Sequence, residues 1–121
     1  MSAFAAIAKA LSDQGRLRIV RALERDELCA CQLTELLGLA PSTVSKHLAL
    51  LKASGLLLSR KKGTWIYYRL NHEARDPMIR EWLDFAARTA HEEPDYKQDR
   101  RKLAALLKLD PEQLCCKQRC R

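Results

Sequence analysis

The 121-residue sequence contains no hydrophobic run that approaches the roughly 18 apolar residues needed to span a membrane. Its alanine-rich start is interrupted by Lys9 and Asp13, and it lacks the basic start, apolar stretch and cleavage site of a secretory signal. Internal repeats and low-complexity linkers are absent as well. We therefore expect a cytoplasmic protein with one compact domain and a tail, because domains usually hold roughly 100–200 residues.

The sequence also lacks an even set of cysteines that could form a disulfide framework. Its five cysteines are Cys29, Cys31, Cys115, Cys116 and Cys120. An odd number in a chain expected to stay unexported favours reduced thiols that serve metal or redox chemistry.

Negative charge is scarce: 22 lysines and arginines outnumber 15 aspartates and glutamates, which leaves a net charge of +7. A small basic chain favours a polyanionic partner, nucleic acid first and an anionic membrane second. Residues 97–121 alone hold eight basic and three acidic residues, so most of the excess charge lies at the C-terminal end.

Hydrophobic spacing predicts a mainly α-helical fold with one small β-hairpin. The predicted elements are an opening helix through Leu11, a second helix capped by Ser12 or Asp13, a short helix at 32–37, a helix from Pro41 to Gly55, strands at 56–59 and 64–70, a longer helix from Asp76 and a last helix at about 99–109. Pro94 ends the longer helix and divides the chain into residues 1–93 and a C-terminal helix with a basic tail at 94–121.

A short helix, a turn that contains Gly38, and a second helix form the outline of a helix-turn-helix. The N-terminal half of such a second helix meets base edges in the major groove. Here it carries side chains able to contact bases or phosphates: Ser42, Thr43, Ser45, Lys46 and His47. A surface helix with a polar face would show the same pattern. The predicted basic hairpin tip favours DNA, since its residues suit phosphate contacts: Arg60, Lys61 and Lys62.

Three segments resemble the ArsR/SmtB family of metal-sensing repressors, and within it the arsenical-resistance repressors. They are ELCACQL at 27–33, STVSKHL at 42–48 and LKASGLL at 51–57, and the similarity covers about residues 5–92. The resemblance implies a winged helix-turn-helix homodimer that binds operator DNA and releases it when a toxic thiophilic ion binds. It also implies dimerisation through the first and last core helices. The apolar stripes that contain Phe4 and Trp82 fit this implication, although they would fit a simple core as well.

Cys29 and Cys31 are candidate ligands, because soft ions such as As(III), Sb(III), Cd(II), Pb(II) and Hg(II) prefer thiolates. Residues i and i+2 lie about 200° apart on a helix but on the same side of an extended segment. If the pair begins the first helix of the helix-turn-helix, binding one ion through both sulfurs must distort that helix and so couple the ion to DNA binding. The alternative interpretation is that Cys29 and Cys31 are simply small hydrophobic side chains buried in the core.

As(III) favours three sulfurs, and some arsenic repressors carry a third cysteine where this sequence has Thr34. Cadmium- and lead-responsive members use cysteines in an N-terminal extension, and the absence of cysteine before Cys29 weighs against that branch. The last-helix zinc site of other members uses Asp and His pairs. Asp84 and His91 do not match that spacing, so no such site is expected.

The remaining thiols lie together at the C-terminal end: Cys115, Cys116 and Cys120. One or two of them could complete the Cys29/Cys31 site, from the same subunit or from its partner. Three thiols within six residues could also bind As(III) as a separate site, or belong to a frayed tail that captures thiophiles incidentally. We expect at least one of them to be a ligand.

No enzymatic activity and no organic cofactor are expected. The sequence has no Walker A loop, dinucleotide fingerprint or defensible Ser/His/Asp arrangement. The spacing of Cys115 and Arg121 matches phosphatase-like arsenate reductases, but no glycine or helix follows to form a phosphate loop, so we treat the match as chance.

The prediction is an arsenite-responsive repressor with As(III), or Sb(III), as inducer. A Cd/Pb-type sensor or a thiol-based redox sensor of the same fold is the alternative. A soft-metal buffer that does not bind DNA is the alternative from another class.

Overall fold

The computed structural model describes residues 2–114. Helices dominate this part of the chain, as predicted, and a small sheet interrupts them. The elements in chain order are α1 (Ala3–Ala10), α2 (Gln14–Ala22), β1 (Leu28–Cys29), α3 (Ala30–Leu37), α4 (Pro41–Ala53), β2 (Leu57–Lys62), β3 (Trp65–Leu70), α5 (Pro77–Thr89), a 3-10 turn (Ala90–Glu92) and α6 (Tyr96–Leu106).

Helix ends follow the capping residues in the sequence. Asp13 Oδ2 accepts the N–H of Arg16 at 3.1 Å, so the second of the two predicted caps begins α2. Asp76 Oδ1 accepts the N–H of Met78 at 2.9 Å and begins α5. Gly38 ends α3 in the left-handed conformation, with φ 68°. These local hydrogen bonds satisfy backbone groups that would otherwise be orphaned at helix termini.

The sheet has three antiparallel strands in the order β1-β3-β2, whereas the sequence predicts two. The additional strand β1 has only two residues: Leu28 pairs with Tyr68, and Cys29 pairs with Tyr67. Two residues cannot show an alternating pattern, so the strand leaves no periodic signal in the sequence. Its pairing brings the first cysteine against the middle of β3.

The hairpin is longer than predicted. β2 pairs with β3 from Leu57 opposite Leu70 to Lys62 opposite Trp65, which leaves Gly63 and Thr64 as the turn. The prediction that residues 60–62 form the tip is therefore wrong, because all three belong to β2. An edge strand tolerates such charged residues since its side chains can remain in solvent.

One hydrophobic core joins the helices to the sheet. Its largest fully buried side chains include Ile7, Ile19, Leu28, Leu33, Leu36, Val44, Leu48, Leu51 and Leu56. Leu103 and Leu106 of α6 belong to the same cluster. The helix after Pro94 therefore packs on the preceding elements, and the predicted boundary between residues 93 and 94 stays a prediction.

Large aromatic side chains remain exposed on the adjoining faces of α1 and α5. Phe4 is 59% exposed and Phe85 is 55% exposed. The ring of Phe4 meets the edge of Trp82 with 5.3 Å between centroids. Met78 and Glu81 complete this surface, which we call the aromatic patch. Within residues 2–114 no helix has the length and hydrophobicity to cross a membrane.

Candidate nucleic-acid interface and thiol site

The helix-turn-helix consists of α3, a turn at residues 38–40, and α4. Pro41 occupies the first turn of α4, where its missing N–H costs no hydrogen bond. Val44 and Leu48 are buried against the core. Four of the predicted DNA-contacting residues share the exposed side of this helix: Ser42, Thr43, Ser45 and Lys46. The structure therefore presents their donors and acceptors together to solvent, as reading a groove requires.

His47 lies differently from these four residues. Its side chain is 13% exposed, with Nε2 3.6 Å from Asp13 Oδ2. Arg16 Nη1 lies 3.3 Å from His47 Nδ1, and Arg16 Nε donates to the carbonyl of Ala10 at 2.6 Å. The ring thus connects α4 to the start of α2 and the end of α1. Contact of His47 with DNA stays a prediction.

The basic side chains of β2 fall into two groups. Arg60 Nε donates to both oxygens of Glu27, at 2.8 and 2.9 Å. Its guanidinium also lies 5.9 Å from the centre of the Tyr67 ring. This hydrogen bond from Arg60 holds the pKa of Glu27 below its ordinary value. Lys61 and Lys62 are exposed, and no ion pair involving them occurs within residues 2–114. The two lysines therefore offer uncompensated positive charge on the wing, that is, on β2 and β3.

Cys29 lies where β1 ends and α3 begins. It is 2% exposed and has extended backbone angles, φ −86° and ψ 165°. Gln32 Oε1 accepts the N–H of Cys29 at 2.9 Å, which satisfies one backbone donor at the start of the helix. Glutamine three residues after a helix start is a recognisable sequence signal, so this contact could have been predicted from the sequence.

Cys31 lies in the first turn of α3, because this helix begins at Ala30 rather than at Gln32 as predicted. Cys31 is half-buried. The two cysteines therefore differ in conformation: one is extended and the other helical. Holding one ion through both sulfurs would therefore require a change in the backbone between Cys29 and Cys31, as predicted from their spacing.

Both cysteines line one cleft between the helix-turn-helix and the wing. The other residues that line it are Ala30, Ser45, Thr64, Trp65, Ile66 and Tyr68. Ser45 belongs to the exposed side of α4, so a residue predicted to read DNA lies at the cleft that contains the two cysteines. Sequence spacing could not reveal this proximity, since the cleft depends on the packing of α3, α4 and β3.

Other candidate ligands do not join the thiol pair. Thr34, which replaces the third cysteine of some relatives, is buried, and its hydroxyl donates to the carbonyl of Ala30 at 2.8 Å. Asp84 and His91 are both exposed. Within residues 2–114 no three His, Cys, Asp or Glu side chains form a group that could hold a metal ion. Three predicted ligands lie outside the described residues: Cys115, Cys116 and Cys120.

Residues 111 and 112, which precede those three cysteines in the sequence, lie beside the wing. Pro111 and Glu112 line a groove together with Lys62, Trp65 and Tyr67. Leu114 is 5% exposed and packs in the hydrophobic core. The last described residues therefore lie against the strand that pairs with Cys29.

Comparisons with known proteins agree with this architecture. The model for "Bacterial regulatory protein, arsR family" matches residues 13–59, from the start of α2 into β2. A solution structure of a homodimeric winged helix-turn-helix domain from Mycobacterium bovis, a possible ArsR-family regulator, superimposes with a TM-score of 0.62 and 28% identity. It covers 76% of this chain and 82% of that chain.

Two curated relatives are arsenical resistance operon repressors. The Escherichia coli repressor is 52% identical over 52% of this chain and 55% of its own length, so the chain spans about half of that relative. The Bacillus subtilis repressor is 42% identical over 62% of this chain and 72% of its own length. The family model, the curated relatives and the fold all indicate the same family. The chain belongs to the arsR family of bacterial regulatory proteins.

Proposed function

We propose that this protein is an arsenite-responsive repressor that binds operator DNA as a homodimer and dissociates when As(III) binds cysteine thiolates. The observation that carries the proposal is the shared cleft, in which Cys29 and Cys31 lie beside Ser45 of α4. An ion held there acts on the segment that positions the DNA-reading helix. Such a repressor works in the cytoplasm, where operator DNA is found.

DNA binding rests on the exposed face of α4 and on the wing. Ser42, Thr43, Ser45 and Lys46 supply hydroxyl and ammonium groups for base edges and phosphates. Lys61 and Lys62 supply the positive charge that phosphate contacts require.

Coupling between ion and DNA rests on the first turn of α3. Ligation of one As(III) by both sulfurs draws an extended residue and a helical residue toward a common centre. The Cys29 N–H bond to Gln32 and the pairing of Cys29 with Tyr67 oppose that movement. The ion therefore favours an altered α3, DNA favours the intact one, and each ligand weakens the other by the same factor.

A third sulfur is proposed to come from the C-terminal segment of the same subunit. As(III) takes three thiolates, and within the described residues two cysteines line the cleft. Pro111 and Glu112 lie against the wing, and Leu114 is anchored in the core immediately before Cys115. The proposed ligands are therefore Cys29 and Cys31 with one of Cys115, Cys116 or Cys120.

The aromatic patch is proposed to be the dimer interface, with a second copy of this chain as its occupant. Phe4 and Phe85 are more than half exposed, and Trp82 of α5 contacts the ring of Phe4 of α1. The relative from Mycobacterium bovis is described as homodimeric. Replacing Phe85 with Lys should convert the dimer to a monomer in analytical ultracentrifugation, whereas Arg80→Glu, at an exposed position of the same helix away from the aromatic patch, should leave the dimer intact.

The test of the sensing function is release of operator DNA measured by fluorescence anisotropy under reducing conditions. Arsenite should release the wild-type protein. Cys29→Ser and Cys31→Ser variants should bind DNA normally but resist release. A chain truncated after Leu114 tests whether the C-terminal cysteines complete the Cys29/Cys31 site or form a separate site. X-ray absorption counts the sulfur ligands of As(III) in the wild type and in the truncated chain. A change from three sulfurs to two at one ion per subunit supports completion of the site.

The same assay separates the other candidate functions. A redox sensor would release DNA when peroxide is added. It would not release DNA when arsenite is added in the presence of reductant. Release by Cd(II) in preference to arsenite and antimonite would indicate a cadmium-type sensor. Failure to bind any palindromic operator with salt-sensitive affinity would leave a soft-metal buffer as the function.

A further inference from the structure

A small cavity between α2, α3 and α6 is lined by three arginines: Arg18, Arg21 and Arg100. The centre of a water-sized sphere can occupy about 10 Å³ of it, so the cavity has room for one water or one small ion. Apart from Asp99, its other walls are aliphatic or aromatic, as at Leu103 and Tyr96. A cavity of this size with positive walls is suited to one small anion.

Arg21 is the least satisfied charged group in the described chain. The residue is 7% exposed, and its Nε donates to the carbonyl of Leu17 at 3.2 Å. Both terminal nitrogens are buried and have no hydrogen-bond partner within residues 2–114. A buried guanidinium without a counter-charge is strongly unfavourable, so a partner for Arg21 is expected.

The carboxylate that lines the cavity is already engaged. Arg18 donates to both oxygens of Asp99, from Nε at 2.9 Å and from Nη2 at 3.0 Å. This pair is internally neutral, and no ion pair of Arg21 or Arg100 occurs within the described residues. The cavity therefore retains the positive charge of two arginines.

We propose that this cavity binds a small monovalent anion of the chloride type. Water could fill the space but could not compensate the charge, and sulfate and phosphate are larger than chloride and therefore fit the space less well. The site is independent of operator binding and of the thiols. Arg18 also donates to the carbonyls of Leu36 and Leu37 at the end of α3, so the anion stabilises the seating of α6 beside the helix-turn-helix.

The test compares thermal unfolding in chloride and in gluconate at constant ionic strength. Chloride at 0.3 M should raise the unfolding midpoint by about 3 °C, because a ligand that binds the folded state stabilises it. Sulfate, the larger anion, should give a smaller shift. Crystals grown in bromide should show an anomalous peak beside the Arg21 guanidinium. The variant Arg21→Leu should lose the chloride shift, and Arg25→Leu, which removes an exposed arginine nearby, should keep it.

Glu24 is the competing counter-ion, since it lies three residues after Arg21, just beyond the end of α2, and its Oε1 is also buried without a hydrogen-bond partner within the described residues. If Glu24 serves Arg21, the wild type shows no chloride shift and Glu24→Gln acquires one, which overturns the proposal. Retention of the shift in Glu24→Gln supports the cavity site. A bromide peak in the crystal, without any chloride shift of the unfolding midpoint that depends on Arg21, would identify an adventitious ion only and would also overturn the proposal.

Discussion

His47 Nε2 lies 3.6 Å from Asp13 Oδ2, and this contact joins the second helix of the helix-turn-helix to the N-cap residue of α2. The same carboxylate caps α2 through the N–H of Arg16. Arg16 in turn contacts His47 Nδ1 and the last carbonyls of α1. The position of α4 therefore depends on a capping residue that is distant in the sequence.

Replacing Asp13 with Ala should lower the free energy of unfolding by about 1 kcal/mol, the usual cost of a lost N-cap. It should also weaken operator binding, because His47 loses a contact that positions α4. Urea unfolding and anisotropy measure the two effects. Asp13→Asn, which keeps a capping oxygen, should recover most of the stability. Equal losses in Ala and Asn variants would contradict a capping role.

The charge of Asp13 should make stability depend on acid pH. The backbone N–H of Arg16 is the main cause that lowers the pKa of Asp13 from 3.8, and the charges of Arg16 and His47 lower it further. The native state therefore favours the carboxylate. Its contribution is complete above the unfolded pKa and is lost as pH falls from about 4 through the native pKa. Asp13→Asn should flatten this part of the stability profile, whereas Asp84→Asn on an exposed surface should not.

Wing cations should differ in their effect on the salt dependence of DNA binding. Lys62→Gln should reduce the slope of log K against log salt by about 1, as expected for one lost phosphate contact. Arg60→Gln should reduce it less, because Glu27 already compensates that charge. Glu27→Gln should free Arg60 and raise affinity at low salt. Equal reductions for Arg60 and Lys62 would show that the ion pair opens on DNA.

The ion pair between Arg18 and Asp99 should stabilise the docking of α6. Both side chains are about four-fifths buried, and Arg18 also donates to the carbonyls at the end of α3. Asp99→Asn should cost about 1.5–3 kcal/mol in urea unfolding, the range for hydrogen bonds to charged groups. Glu92→Gln, at an exposed position, is the matched control and should change stability little.

Gly38 and Gly55 should respond differently to substitution by Ala. Both have positive φ, 68° and 88°, so Ala at either position incurs a conformational cost of about 1–2 kcal/mol. A Cβ at Gly38 meets no atom within 4 Å, whereas one at Gly55 would lie 2.8 Å from Ile79 Cδ1. Gly55→Ala should therefore be the more destabilising change in thermal unfolding. The reverse order would mean that Ile79 moves freely.

Local signals in the sequence determined the helices, their caps and the helix-turn-helix turn. Asp13, Asp76 and Gly38 act through hydrogen bonds or backbone angles within a few residues, so their roles can be predicted from neighbouring residues alone. The exposed residues of α4 follow from helical periodicity in the same way.

Tertiary structure alone decided which of these side chains meet. Arg60 pairs with Glu27, Arg18 with Asp99 and His47 with Asp13, and each pair joins elements that are distant in the chain. The strand β1 is too short to show a period, so its pairing with β3 and the cleft that holds Cys29 and Cys31 depend on the folded sheet. Charge pairing and packing across elements depend on three-dimensional proximity, which residue spacing does not encode.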